Sequence, residues 1–168
     1  MALVACSGDD SHAVRKAFYN GILDCRNASF VAGGGKGCLY GCLGMGSCAR
    51  ACPFGAIEIT EAHIAVVHPE LCTGCGTCVA TCPRHIIKLV PRTSQIHVFC
   101  SSPEIGKNKF PICSGACIGC RKCERNAGEG QMCIEGFLAR VNYENPPAAA
   151  LADVCPTKAL RRQVSTQE

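Results

Sequence analysis

The chain has 168 residues, of which 17 are Cys, 18 Gly and 9 Pro, with no Trp, 6 Phe and 3 Tyr. Aromatic side chains therefore cannot dominate a core, and this cysteine content marks either a disulfide scaffold or a metal-loaded protein. No stretch approaches the roughly 18 to 20 apolar residues that span a bilayer. The first residues lack the basic and apolar regions of a signal peptide. The expectation is a soluble intracellular chain, where dense cysteines bind metal more readily than they pair, and an odd count fits a fully paired framework poorly. The formal charge of +4 treats each thiol as neutral. A [4Fe–4S] core held by four thiolates carries about −2, so several of them would outweigh that surplus. Lys and Arg are scattered, with few aromatics to stack on bases, which excludes a nucleic-acid interface.

In chain order, Asp10-Ser11 reads as the N-cap of a helix over residues 12–23, with Ala13, Ala17, Phe18 and Ile22 as its apolar stripe. Gly33-Gly34-Gly35-Lys36-Gly37 resembles a phosphate loop but fails the test, because Lys36 is followed by Gly37-Cys38 and not by Ser or Thr. Pliable backbone beside a metal site is the better reading. Residues 1–36 form this N-terminal lead-in.

Residues 37–100 carry two cysteine motifs. The second is the more regular: Cys72, Cys75, Cys78, Cys82 and Pro83 make the C-x2-C-x2-C-x3-C-P run of bacterial ferredoxins. Three closely spaced thiolates cap one cubane, and the fourth, beyond a helical turn, ligates a neighbouring cluster. Zinc ribbons instead use separated C-x2-C pairs. The first motif, Cys38, Cys42, Cys48, Cys52 and Pro53, has Met45 where the second cysteine should stand. Cys38 is the expected substitute. Swapped pairing then assigns Cys38, Cys42, Cys48 and Cys82 to one cluster and Cys72, Cys75, Cys78 and Cys52 to another. β-like runs at 56–59, 63–67 and 86–90 give the helix-and-hairpin wrapping of a two-cluster ferredoxin module.

Residues 101–112 read as a connecting loop rich in Pro, Gly and Lys. Its lysines could attract an acidic redox partner. Residues 113–160 hold a third motif, Cys117, Cys120 and Cys123, whose fourth position is Ala127. Residues 137–143 read as a strand. Counting back from Cys155-Pro156 places Asn145, Ala148 and Leu151 at the remaining positions of a fourth motif. Under swapped pairing, Ala127, Asn145, Ala148 and Leu151 are the four ligand positions of one vanished cluster, and Cys117, Cys120, Cys123 and Cys155 remain as one complete set. The second module is thus degenerate, and residues 161–168 form a polar tail.

Three [4Fe–4S] clusters follow from the spacing. Cys6, Cys25, Cys100 and Cys113 are available for a fourth, and Cys133 is left as the unpaired thiol; iron analysis separates about twelve per chain from about sixteen. His12, His63, His68, His85 and His97 show no paired metal or catalytic spacing, although His85 lies three residues after Cys82. No nucleotide fingerprint or nucleophilic triad is present, so the chain alone is expected to perform no substrate chemistry. The fold class is α+β, with tandem ferredoxin-like modules. Its function is electron transfer, the alternatives being a structural zinc-binding interaction module or an electron-transfer component of a different oxidoreductase.

The runs Asp24-Cys25-Arg26-Asn27-Ala28, Gly34 to Cys48 and Ala51-Cys52-Pro53-Phe54 resemble the B subunit of the Rnf complex. Val98-Phe99-Cys100-Ser101-Ser102, Cys117-Ile118-Gly119-Cys120 and Cys155-Pro156-Thr157-Lys158-Ala159-Leu160 resemble it as well. The likeness covers nearly the whole chain and implies a polyferredoxin that carries electrons within a membrane-bound ferredoxin:NAD oxidoreductase. It also implies a soluble ferredoxin-like donor, other complex subunits as partners, and a place at the inner face of the cell membrane. The membrane helix and further cysteine-rich domain with which such subunits begin are absent from this sequence. The expectation is therefore a truncated or stand-alone relative, which touches the membrane only through partners or a missing helix.

Overall fold

The computed structural model describes residues 1–163; the polar tail beyond residue 163 lies outside the described residues. The described residues form a small α+β structure built from four two-stranded antiparallel sheets and short helices. The N-terminal half contains β1 (Ala2–Val4), α1 (Cys25–Phe30), α2 (Ser47–Arg50), β2 (Ile57–Ile59), β3 (Ala65–Val67), α3 (Thr77–Thr81) and β4 (Ile87–Leu89). The C-terminal half contains β5 (Ile96–Val98), α4 (Gly106–Lys109), α5 (Lys122–Asn126), β6 (Met132–Glu135), β7 (Leu138–Val141) and β8 (Leu160–Arg162).

The halves share one plan. A hairpin, β2–β3 or β6–β7, lies inside each, and the first strand of each half pairs with its last, β1 with β4 and β5 with β8. The cysteine loops also share a backbone course. Gly44, Gly74 and Gly119 are left-handed, as are Gly46, Gly76 and Arg121 immediately before α2, α3 and α5. Three residues after Cys52, Cys82 and Cys155, the chain is left-handed again at Gly55, His85 and Lys158. Such positions cost an L-residue about 1 kcal/mol or more, so their recurrence at matching offsets reflects a required loop shape. Each half also has its own apolar cluster. One gathers Ala2, Val4, Ala56, Ile57, Ile86 and Ile87 around buried thiols, the other Ile96, Met132, Leu138, Leu151 and Leu160.

Three expectations need correction. Residues 12–23 form no helix. The Asp9 carboxylate accepts from the amides of Ser11 and His12 in a tight turn. The chain then runs extended, with Val14 N–H donating to Ile112 O and Gly37 N–H to Val14 O. These long-range backbone bonds replace the helical ones, and they leave Phe18 and Ile22 exposed. Nor is 101–112 wholly a loop, since α4 lies inside it. Arg161 and Arg162, at the start of the expected tail, complete β8 by pairing with β5.

Within 33–37 the glycine need is steric. At Gly35 (φ +74°) a Cβ would sit 2.1 Å from the Ala17 carbonyl oxygen, so the backbone of residue 17 can approach only glycine there.

Candidate iron–sulfur centres

All seventeen cysteines are free thiols, and sixteen of them line four cavities in sets of four. Site I gathers Cys52 from the end of α2 with Cys72, Cys75 and Cys78 from the second motif. Site II gathers Cys25, Cys42, Cys48 and Cys82. Site III gathers Cys117, Cys120, Cys123 and Cys155. Site IV, between the halves, gathers Cys6, Cys38, Cys100 and Cys113. Cys133 lies exposed on β6, outside all four.

The groupings expected for sites I and III are those the structure brings together. The other two differ by one exchange. Cys38 does not stand in for Met45 beside Cys42; Cys25 does, and Cys38 lines site IV in its place. The exchange has a local cause. Asp24 caps α1 by accepting from the amides of Arg26 and Asn27. Its second carboxylate oxygen accepts from the Ser47 hydroxyl at 2.8 Å, and the Ser47 oxygen accepts from the Cys25 amide at 2.8 Å. The N-terminus of α1 is thereby fastened to the N-terminus of α2, which delivers Cys25 to the cavity that Cys48 lines. The sequence signal was the Asp24-Cys25 cap pair, whose partner Ser47 lies too far along the chain for spacing to reveal.

Site IV is assembled symmetrically. Cys6 follows β1 by two residues and Cys100 follows β5 by two. Cys38 precedes Cys42 by four residues, as Cys113 precedes Cys117. Each half thus contributes one thiol after its first strand and one before its first cysteine loop. The site adjoins both neighbours. The Cys42 amide donates to the Cys6 sulfur at 3.3 Å, and Cys100 packs against the core that holds Cys117.

Burial and crowding oppose ionisation of at least one thiol in each site. Cys48 is pushed up to about 12, by burial first and then by Cys42, Cys25 and Cys82. Cys113 rises to about 11 by burial, with Cys6, Cys38 and Cys100 adding to it. Cys123 rises to about 11 by burial, with further contributions from Cys117, Cys155 and Cys120. Cys78 is raised by burial, and Cys72 and Cys52 contribute. Thiols raised in this way shed their protons more readily where bound cations share the charge. Cys75, which is exposed, is instead lowered by its hydrogen bond to the Thr77 hydroxyl.

Backbone amides are aimed at the sulfurs. Ala2 donates to Cys72 at 3.2 Å, and Ala56 to Cys52, Ala139 to Cys117 and Leu160 to Cys155 at 3.4 Å each. Such bonds stabilise thiolate charge and tune the potential of a cluster. Among the described residues, no group of three or more His, Cys, Asp or Glu converges tightly enough for a single metal ion. The thiols surround voids, as ligands of a multinuclear group must. This donor set fits iron–sulfur clusters.

A chain of cysteine loops, short helices and hairpins around such voids defines a ferredoxin-type protein. In accord with this, residues 38–86 match the 4Fe-4S dicluster domain. Over nearly its whole length the chain is similar to B subunits of ion-translocating oxidoreductase complexes. It is 39% identical over 158 residues to the B subunit of the ion-translocating oxidoreductase complex of Methanosarcina acetivorans, covering 94% of this chain and 60% of that one. It is 38% identical to the B subunit of the Na(+)-translocating ferredoxin:NAD(+) oxidoreductase complex of Acetobacterium woodii, covering 98% of this chain and 50% of that one. The proton-translocating counterpart of Clostridium ljungdahlii is also 38% identical, with 98% and 59% covered. The chain thus spans about half to three-fifths of the length of these relatives. No helix among the described residues is long and apolar enough to cross a membrane.

Proposed function

We propose that the chain is a polyferredoxin of two tandem modules, 37–100 and a degenerate 113–160, that passes electrons through four [4Fe–4S] clusters in an Rnf-type membrane complex. Cys52, Cys72, Cys75 and Cys78 would hold the first cluster, and Cys25, Cys42, Cys48 and Cys82 the second. Cys117, Cys120, Cys123 and Cys155 would hold the third, and Cys6, Cys38, Cys100 and Cys113 the fourth. When bound, each cluster supplies a one-electron couple with little movement of its ligands. The residues of the chain do the rest. The cysteines fix the spacing of the centres, the amides at Ala2, Ala56, Ala139 and Leu160 set local charge, and the apolar clusters exclude water. Cys75 is exposed, which gives an external donor or acceptor its closest approach at site I. A soluble ferredoxin-like donor and other members of the complex are the partners that the relatives' names suggest.

The observation that carries this reading is the division of sixteen thiols into four cavity-lining sets of four. Anaerobically purified protein should be brown, contain about sixteen iron and sixteen sulfide per chain, and show cluster EPR signals on reduction. A colourless protein with stoichiometric zinc would overturn it.

A further inference from the structure

Site IV differs from the others in what faces its sulfurs besides protein backbone. Lys36 and Lys109 both line its cavity, and both are buried, at 7% and 4% exposed. The Lys109 ammonium donates to two carbonyl oxygens, those of Ser102 at 3.1 Å and Phe137 at 2.7 Å. Lys36 has no carboxylate partner and no side-chain hydrogen bond among the described residues. The groups on which its charge bears are the thiols of Cys38 and Cys42. Of the described residues lining the cavity only Glu104 is acidic, and it is exposed and bonded to the Tyr40 hydroxyl. The third lining cation, Lys16, is exposed.

An ammonium on a residue only 7% exposed, with no anion beside it, is unfavourable. It persists where a negative charge is supplied, and a cluster on four thiolates carries about −2 before it accepts an electron. At site I, by contrast, none of the described residues lining the cavity is charged, and the cation next to it, Arg92, donates to the Cys72 carbonyl oxygen.

Resting on the fourth-cluster reading above, we propose that Lys36 is the internal counter-ion of the Cys6/Cys38/Cys100/Cys113 site and raises its reduction potential above that of the Cys52/Cys72/Cys75/Cys78 site. Acceptance of one electron makes the site one charge more negative and breaks no bond. A fixed positive charge in a low-dielectric interior favours that state more strongly than an exposed one would. Electrons entering at exposed site I are then drawn towards the junction between the halves, where the Cys6 sulfur accepts from the Cys42 amide. Lys36 is a positioning residue: it contributes a charge beside the sulfurs and touches no external substrate.

The test compares Lys36→Met, which keeps the length of the side chain, with Lys36→Arg, which keeps its charge. Iron and sulfide counts are taken first on the unaltered protein, followed by EPR-monitored redox titration of all three. Cys113→Ser identifies the wave belonging to site IV as the one it removes. That wave should lie above the lowest wave in the unaltered protein. It should move to lower potential in Lys36→Met and stay in place in Lys36→Arg, with the site II wave, whose Cys42 thiol the same charge faces, moving less and the waves of sites I and III unmoved. Loss of about four iron in Lys36→Met but not in Lys36→Arg would support the same role by a different route. A Lys36→Met titration superimposable on the unaltered one, at full iron content, overturns the counter-ion. About twelve iron in the unaltered protein overturns the fourth cluster instead, and these two failures are read from different measurements.

Discussion

The two halves follow one plan, yet their interiors are filled differently. In the N-terminal half, buried thiols of Cys42, Cys48, Cys72 and Cys78 make up much of the core beside small residues such as Ala56 and Ala65. In the C-terminal half, Leu151 and Ala152 pack inward with Leu138, Met132 and Leu160, and Ala127 lies against them. Leu151 and Ala127 occupy two of the four positions where the repeat would place ligands of a second cluster. On the proposed cluster assignment, thiols that hold a cluster and side chains that fill space are exchangeable as a set. What is not exchangeable is half of a set, because an unligated thiolate or an empty void in the interior is penalised on its own. On that assignment, the four positions of that site would lose their cysteines together while Cys117, Cys120, Cys123 and Cys155 are kept together.

The strongest challenge to this comparison is removal of iron. The N-terminal half should lose nearly all amide protection in chelator-treated anaerobic protein, since four thiols make up much of its buried core. The C-terminal half, with its larger aliphatic complement, should retain measurable protection along β6 and β7. Hydrogen exchange read by mass spectrometry resolves the two. Equal loss in both halves would show that the aliphatic residues do not compensate for the absent cluster.

A second experiment addresses the exchange between Cys25 and Cys38. Cys25→Ser and Cys38→Ser should each remove about four iron, but from different sites, so the double variant should lose about eight. The EPR signal lost in Cys25→Ser should be the one lost in Cys48→Ser, and that lost in Cys38→Ser the one lost in Cys113→Ser. If Cys38→Ser and Cys48→Ser instead removed the same signal, the spacing-based grouping of Cys38 with Cys42, Cys48 and Cys82 would be restored.

That grouping marks the limit of what spacing can reveal. Spacing and structure group the same thiols at sites I and III because these proposed ligands lie within one loop plus one swapped cysteine. The hairpin β2–β3 and the strands β4 and β7 are also legible, from short apolar runs bounded by turn residues. Cys25 is different. It reaches site II through the Asp24–Ser47 cap, a side-chain contact across 23 residues that no local pattern encodes. β1 is illegible for the same reason, since three apolar residues become a strand only by pairing with β4. The expected helix at 12–23 fails because bonds to Ile112 and Gly37 outcompete its propensity, a tertiary override. One signal does lie in the spacing itself. Cys38 stands to Cys42 as Cys113 stands to Cys117, and that equivalence places both in the same site.

A smaller effect is expected from Leu151→Ala. It should destabilise the C-terminal half by about 2 to 3 kcal/mol through the cavity it leaves, without changing iron content, because Leu151 fills space and binds nothing. Urea titration of the holoprotein, followed by exchange along β6 and β7, measures it. A loss of iron would mean that Leu151 shapes site III and is more than packing.

The smallest effect separates the halves by pH. His97 on β5 is fully buried, its Nδ1 lies 3.0 Å from the Tyr143 hydroxyl, and burial holds its pKa below the ordinary value of 6.5. Among the described residues no histidine is buried in the N-terminal half, where His12 and His63 sit against Asp9 and Asp10 at the surface. As pH falls below 6.5, the unfolded chain takes up a proton at residue 97 that the folded chain refuses. Stability is therefore full above 6.5 and declines with acidification until the folded pKa is reached. The slope is at most about 1.4 kcal/mol per pH unit in that window. Protection along β5 and β8 should weaken as pH falls below 6.5 while that along β2 and β3 holds. His97→Gln, which cannot titrate, should flatten this slope whatever it does to stability at neutral pH. An unchanged slope in that variant would move the acid sensitivity to the cluster sulfurs, which both halves share, and the pH contrast between the halves would disappear.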